Sequence, residues 1–114
     1  MKLANPFSSV TDEQLAEVVR RLAAALCPRA IYLFGSQARG VPRPGGDIDL
    51  MVIVDGEPSR LDLYRMGSAA IRELRLPVEL HFSSGERFDR FADVFGSFQH
   101  EIRRKGILLY AAEN

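Results

Sequence analysis

Two aspartates, Asp47 and Asp49, stand at the entrance of an otherwise apolar stretch and are the residues best suited to chemistry. Because alternate residues of a strand project from the same face, the two carboxylates are predicted to lie side by side. Neighbouring negative charges repel each other, and a cation between them relieves the repulsion. Carboxylate oxygens are the ligands that Mg²⁺ prefers, completed by water and substrate phosphates. The pair therefore predicts a metal site, and the alternative is an ordinary polar turn leading into a strand.

A glycine and a serine, Gly35 and Ser36, directly follow the preceding apolar stretch and predict a phosphate-binding turn. Glycine lets an anion approach the backbone closely, and serine offers both a hydroxyl and an N–H group. The alternative for Ser36 is a simple turn serine. Arg39, in the loop that follows, is either a guanidinium contact for phosphate or a solvated loop residue.

A third acidic candidate, Glu79, lies in a predicted strand in which Val78, Leu80 and Phe82 share the apolar face. Glu79 and His81 are then expected together on the opposite face. Glu79 is either a third carboxylate of the metal site or an exposed strand residue. His81 is either a contact for a phosphate-bearing ligand or for the group that reacts with it, or an ordinary histidine with no functional role.

The elements that must carry these residues predict one α/β (α+β) domain over residues 1–114. A small mixed sheet of three to four strands is expected, flanked by about four helices. In chain order the sequence predicts a helix over 11–26, strand 30–34, loop 37–46, strand 48–54, helix 59–75, strand 78–82, a short helix capped by Ser83 and Glu86, helix 97–105 and strand 107–110.

The candidate residues can meet at one sheet edge only with a particular topology. Gly35 lies at the exit of the first predicted strand and Asp47 at the entrance of the second, so these two strands must be antiparallel. A helical crossover to a parallel third strand then brings Glu79 to the same edge. The sequence therefore predicts a phosphate-binding turn that faces a metal site.

Four phenylalanines near the C-terminal end, Phe88, Phe91, Phe95 and Phe98, are predicted to pack in the core. The alternative is that some of them form an exposed patch that faces a partner. His100 follows on a polar helical segment and is predicted to lie on the surface.

Composition limits the classes of function. A chain of 114 residues, 46% of them apolar, forms one core without a deep cleft, so a large substrate must be shared with a partner. Fifteen basic and fifteen acidic residues cancel, which disfavours general nucleic-acid binding. The single cysteine, Cys27, excludes an internal disulfide and fits a reducing cytoplasm. The apolar runs are far shorter than the roughly 20 residues that span a bilayer, so a cytoplasmic protein is expected.

The run from Gly35 to Gly40 (GSQARG), with ten residues between Ser36 and Asp47 and then DIDL, resembles the signature of the polymerase-β-type nucleotidyltransferase superfamily. Within that superfamily the chain is similar to the minimal nucleotidyltransferases (MNT), antitoxins that are paired with HEPN-domain ribonuclease toxins. The resemblance covers nearly the whole chain and implies the polymerase-β-like palm fold. It also implies that Gly35 and Ser36 bind a triphosphate, and that Asp47, Asp49 and Glu79 hold two Mg²⁺ ions.

Two positions depart from the pattern of that superfamily. Glu79 stands where relatives usually have Asp, and Gly46 stands where the residue before the first aspartate is often Ser. The resemblance implies transfer of AMP from ATP to a hydroxyl, expected to be a tyrosine of a HEPN toxin. The alternatives are an antitoxin that binds its partner without catalysis and an enzyme that modifies a small molecule. Formation of a homo-oligomer is compatible with each of these functions.

Overall fold

The structure, a computed structural model, describes residues 10–35 and 47–113. The predicted class is confirmed, because four helices surround a mixed sheet of four strands in these ranges. In chain order the elements are α1 (Asp12–Leu26), β1 (Ala30–Phe34), β2 (Ile48–Val54), α2 (Arg60–Ile71), a short 3₁₀ helix (Arg72–Leu74), β3 (Val78–Ser84), α3 (Gly85–Ala92), α4 (Phe98–Lys105) and β4 (Ile107–Ala111). The predicted loop 37–46 lies outside the described residues.

Helix α1 begins and ends on local signals. The Gln14 N–H donates to Thr11 Oγ1 at 3.1 Å, and the Thr11 N–H donates to Gln14 Oε1 at 2.9 Å, which forms a capping box. The helix ends at Cys27, whose left-handed backbone conformation (φ 46°) precedes Pro28. Both ends agree with the sequence prediction.

The junction between β3 and α3 differs from its prediction. Ser84, and not Ser83, caps α3, because the Arg87 N–H donates to Ser84 Oγ at 3.1 Å. Ser83 continues β3, where it pairs with Ile53 and is 4% exposed. The strand therefore extends two residues beyond Phe82, since pairing with β2 persists as far as Ser84.

The sheet has the strand order β3-β2-β1-β4. Strand β1 pairs antiparallel with both β2 and β4, whereas β2 and β3 are parallel and are joined by the crossover through α2. The topology predicted for the candidate residues is thus the observed one. In the described part of the chain, β3 and β4 form the two edges of the sheet.

Both faces of β2 are covered by apolar side chains. Leu50 and Val52 belong to a buried cluster that includes residues of α1 and α2. Met51 and Ile53 belong to a second cluster on the opposite face, with residues of α3 and α4. This two-sided burial makes β2 the central strand, as its continuous apolar run predicts.

The aromatic residues of α3 and α4 are only partly in the core. Phe88 is buried as predicted, and Phe91 is half-buried. The core prediction is wrong for Phe95 and Phe98, which are 84% and 48% exposed. His100 is half-buried against the Phe95 ring, at 5.6 Å between ring centroids, and not on the surface.

No helix within residues 10–35 and 47–113 has the length and apolar character that crossing a membrane requires.

Glu17 links α1 to the end of α2 through arginines. Hydrogen bonds from Arg20 and then Arg21 to its carboxylate lower the pKa of Glu17 from 4.5 to about 2. Arg21 also pairs with Glu73 in the 3₁₀ helix after α2. Because the pKa is lower in the folded state, this pairing stabilises the fold above pH 4.5, and the stabilisation is lost as the pH falls through about 2.

We therefore expect Glu17→Gln to melt at a lower temperature than the wild type at neutral pH. The pairs are exposed, so the expected difference is small. It should shrink as the pH falls from 4.5 towards 2, where the wild-type carboxylate becomes protonated. Thermal unfolding followed by circular dichroism at several pH values measures this. A difference that stays constant over that range contradicts the assignment.

Candidate active site

Strand pairing places the candidate residues in one row across the sheet. Phe34, the last residue of β1, pairs with Asp49 of β2, and Asp49 pairs with Glu79 of β3. Gly35 follows Phe34 directly. The row lies where β1 ends and where β2 and β3 begin, so Gly35, Asp49 and Glu79 reach the same end of the sheet.

Three side chains of this region converge. His81 Nε2 lies 3.3 Å from Asp49 Oδ1 and 3.8 Å from Glu79 Oε1. One nitrogen or oxygen atom from each of the three side chains lies within 4.8 Å of the others. Asp49 and His81 are half-buried, and Glu79 is exposed. The carboxylate that contacts His81 most closely is therefore also shielded from water.

The other predicted site residues are placed differently or lie outside the described ranges. Asp47 is exposed just before β2 and does not belong to the three-residue group formed by the described side chains. The strand entrance beside it is fixed by the Ile48 N–H, which donates to the Pro77 carbonyl at 2.8 Å. Ser36, Arg39 and Gly46 lie outside the described residues.

The backbone of Gly35 lies very close to the Asp49 carboxylate. Its φ of +80° belongs to the left-handed region that favours glycine. A Cβ atom at this position would lie 2.7 Å from Asp49 Oδ2, which is closer than real Cβ contacts. The chain therefore turns out of β1 directly over the Asp49 carboxylate, and a side chain would displace one of the two.

An aromatic cluster supports the imidazole of His81. Its ring packs edge-on against Phe34 at 5.1 Å and lies 6.3 Å from Phe98, while Phe34 and Phe98 are 5.2 Å apart. These contacts restrict the histidine ring between β1 and the first turn of α4. The sequence leaves the role of His81 open because the approach of α4 is a tertiary contact.

The three converging side chains fit a divalent cation. Two carboxylates supply the hard oxygen ligands that Mg²⁺ prefers, and an imidazole nitrogen is also accepted by metals such as Mn²⁺ and Zn²⁺. Among the described side chains, this is the one group of acidic, histidine or cysteine residues that is close enough to hold a metal. Asp47, two residues before Asp49, is near enough in sequence to add a further oxygen ligand.

The sequence matches the family model of the nucleotidyltransferase domain over residues 12–105. This match spans most of the chain, from the first residue of α1 to the last residue of α4. No curated protein matches the sequence significantly.

The solved structures with a similar fold include the following three. A proposed nucleotidyltransferase from Sulfolobus solfataricus is 24% identical with a TM-score of 0.63, covering 88% of this chain and 79% of that one. A toxin-antitoxin structure with AMP-PNP is 18% identical with a TM-score of 0.55, covering 86% and 74%. A mutant of the toxin-antitoxin pair MntA-HpeT is 16% identical with a TM-score of 0.53, covering 86% and 74%.

The close approach of Gly35 to Asp49 can be tested against a matched glycine. We expect Gly56→Ala to lose about 1–2 kcal/mol of stability because its backbone is left-handed, at φ +78°. Gly35→Ala, at φ +80°, should lose more, because its Cβ also meets Asp49. Only Gly35→Ala should also shift the NMR signals of Asp49 and His81, because a Cβ at Gly56 meets nothing within 4 Å. Unfolding in urea and NMR spectra measure the two effects. Equal shifts at Asp49 in both variants would contradict the contact.

Proposed function

The chain belongs to the nucleotidyltransferase domain family, and from this premise we propose that it transfers AMP from ATP to a hydroxyl group of a protein partner. The observation that carries the proposal is the row formed by the end of β1 with Asp49 and Glu79, beside the glycine turn. Carboxylates that face a phosphate-binding turn are what nucleotidyl transfer needs, because the reaction depends on positioning and on charge stabilisation.

In this proposal the Gly35-Ser36 turn binds the triphosphate through backbone N–H groups and the serine hydroxyl. Arg39 is proposed as an additional phosphate contact. Asp47, Asp49 and Glu79 are the carboxylates of the reacting centre. They would hold two Mg²⁺ ions, whose charge would offset that of the triphosphate and lower the pKa of the acceptor hydroxyl.

The bond changes are those of a simple displacement at phosphorus. The acceptor oxygen bonds to the α-phosphorus of ATP, the bond from that phosphorus to the pyrophosphate oxygen breaks, and pyrophosphate leaves. The hydroxyl proton passes to solvent. No covalent intermediate on the protein is required, and Cys27, exposed at the end of α1, has no part in the reaction.

Two residues around Asp49 hold its carboxylate in position for binding a cation. Its carboxylate is held from one side by His81 and is approached from the other by the backbone of Gly35. Two fixed neighbours keep the oxygen atoms in one orientation before the substrate arrives, which lowers the cost of organising the reacting centre. His81 acts here as a positioning residue.

A protein acceptor is supported by the size of the chain and by the neighbouring structures. A chain of 114 residues has room for one small core only, and two of the structures with a similar fold are toxin-antitoxin structures, one of them with AMP-PNP. We propose that the chain is an antitoxin and that the acceptor is a tyrosine of a HEPN-domain toxin. The exposed ring of Phe95 favours contact with a protein, and it is the observation behind the second candidate, an antitoxin that only binds its toxin.

Transfer is tested with α-labelled ATP, Mg²⁺, the HEPN-domain partner and the purified protein. We expect label on the partner, and at least a 100-fold slower reaction for Asp49→Asn, because a carboxylate at the reacting centre is lost. Asp55→Asn is the matched control, since Asp55 is exposed just beyond the other end of β2 and should keep wild-type rates. A partner that is bound and silenced but carries no label would support the second candidate and contradict transfer.

The glutamate at the third position has its own test. Glu79→Asp keeps the carboxylate and should retain activity within about tenfold of the wild type, whereas Glu79→Gln keeps the length but removes the charge. We expect Glu79→Gln to lose at least 100-fold, in line with loss of a charged group at the reacting centre. Initial rates of transfer measure both variants. Equal activity of Glu79→Gln and wild type would exclude Glu79 from the site.

A further inference from the structure

A groove follows the outer edge of β3, on the side of the sheet where no further strand pairs with it among the described residues. Residues 80–83 of β3 form its floor. Arg60 and Tyr64 of α2 border one side, and Arg87 of α3 and Phe98 of α4 border the other. The part of the groove bordered by these residues, its central part, has a volume of about 310 Å³. We call it the β3 groove.

The β3 groove extends beyond its central part in both directions. Arg60 and Arg87 also border a depression at the end of β3 near Ser84. Tyr64 also borders a depression that is lined by Arg72 and Arg75, at the start of β3. The three depressions share bordering residues and follow one another along the strand edge, and together we call them the path.

Among the described residues, more basic than acidic side chains border the path. No described carboxylate lies within 4.0 Å of a guanidinium nitrogen of the four arginines that border it, Arg60, Arg72, Arg75 and Arg87. By contrast, Arg29 pairs with two acids on the same molecule. Glu57 borders one end of the path without forming such a pair. Arg87 lies over the Phe91 ring, at 5.4 Å from its centroid, which leaves its charge without an acidic partner among the described residues. Guanidinium groups of this kind around a groove favour an acidic occupant.

The β3 groove leads to the candidate active site. His81 lies in the floor of the groove and also contacts Asp49 at 3.3 Å. Phe98 borders the groove and packs near His81. A chain segment lying in the groove would therefore pass within side-chain reach of the carboxylates.

We propose that the β3 groove binds an acidic, extended segment of the protein partner, and that this segment presents the acceptor hydroxyl to the site. The inference rests on the proposed function and adds where the acceptor binds and which charge surrounds it. An edge strand offers backbone N–H and C=O groups to an extended peptide. Tyr64 and Phe98, which are 54% and 48% exposed, offer apolar contacts beside the arginines.

A protein segment is favoured over RNA by the charge of the whole molecule. Fifteen basic and fifteen acidic residues leave no net charge to attract a long polyanion, whereas a short acidic peptide needs only the local arginines. Both occupants would respond to the same arginines, so RNA is an outcome that the experiment must distinguish.

The experiment compares three synthetic peptides that contain one tyrosine, flanked by glutamate, serine or lysine residues, as acceptors of AMP from labelled ATP. For the wild type we expect kcat/KM to be roughly tenfold higher with the glutamate peptide than with the lysine peptide, a ratio that falls as salt is added. N-acetyltyrosinamide serves as an acceptor without flanking charges.

Reversing the charge of two arginines tests whether the β3 groove is the surface that binds the peptide. Arg60→Glu with Arg87→Glu should abolish or invert the preference for the glutamate peptide, mainly through KM, while activity on N-acetyltyrosinamide stays unchanged. The matched control is Arg65→Glu with Arg104→Glu, which changes the net charge equally at two exposed arginines that do not border the groove. The control should keep the wild-type preference. Equal effects of the two double variants would overturn the proposal.

Two further outcomes separate this inference from the proposed function. If no acceptor is labelled, the transfer activity fails, and fluorescence anisotropy of the labelled glutamate peptide then tests the groove by binding alone. If the tyrosine acceptors are labelled without regard to flanking charge, transfer stands and the β3 groove is wrong. Binding of a short oligouridylate that is stronger than binding of the glutamate peptide, and lost in the Arg60 and Arg87 variant, would assign the groove to RNA and overturn the proposal.

Discussion

The register between β1, β2 and β3 is the constraint on which the site depends. Asp49 faces Glu79 and lies beside Gly35 only while Phe34 pairs with Asp49 in the antiparallel ladder and β2 pairs with β3 in the parallel one. A slip of one residue would turn the Asp49 side chain to the opposite face of the sheet. The core prevents such a slip, because β2 is apolar towards both layers of helices and a shifted strand would place charge among them.

Local signals in the sequence predicted much of this architecture, whereas features that depend on tertiary packing were missed. Thr11 and Gln14 define the start of α1 by themselves, and the apolar run of β2 needs two covered faces wherever it lies. Ser83 and Ser84 could each cap α3, and the choice follows from the pairing of Ser83 with Ile53, which no local rule contains. The exposure of Phe95 similarly depends on how α3 and α4 meet.

Some features of the candidate site could likewise be predicted from the sequence, and others could not. Strand periodicity and crossover topology are general rules, so the sequence predicted that the candidate residues share one end of the sheet, and strand pairing places Asp49 and Glu79 there. The sequence could not show that the two aspartates occupy different environments. Asp49 is half-buried and held by His81, whereas Asp47 is exposed at the strand entrance.

The chain has no net charge, but its acidic and basic side chains are concentrated in two adjacent regions. Carboxylates gather at the entrance of β2 and β3, and arginines without acidic partners among the described residues line the adjacent β3 groove. The two regions meet at His81. An acidic segment in the groove would be attracted by the arginines and repelled by the carboxylates, so it would approach those carboxylates fully only when cations had neutralised them. Under the proposed function, the same opposition of charges would favour binding of cations before binding of the acceptor, an order that follows from the placement of the charges.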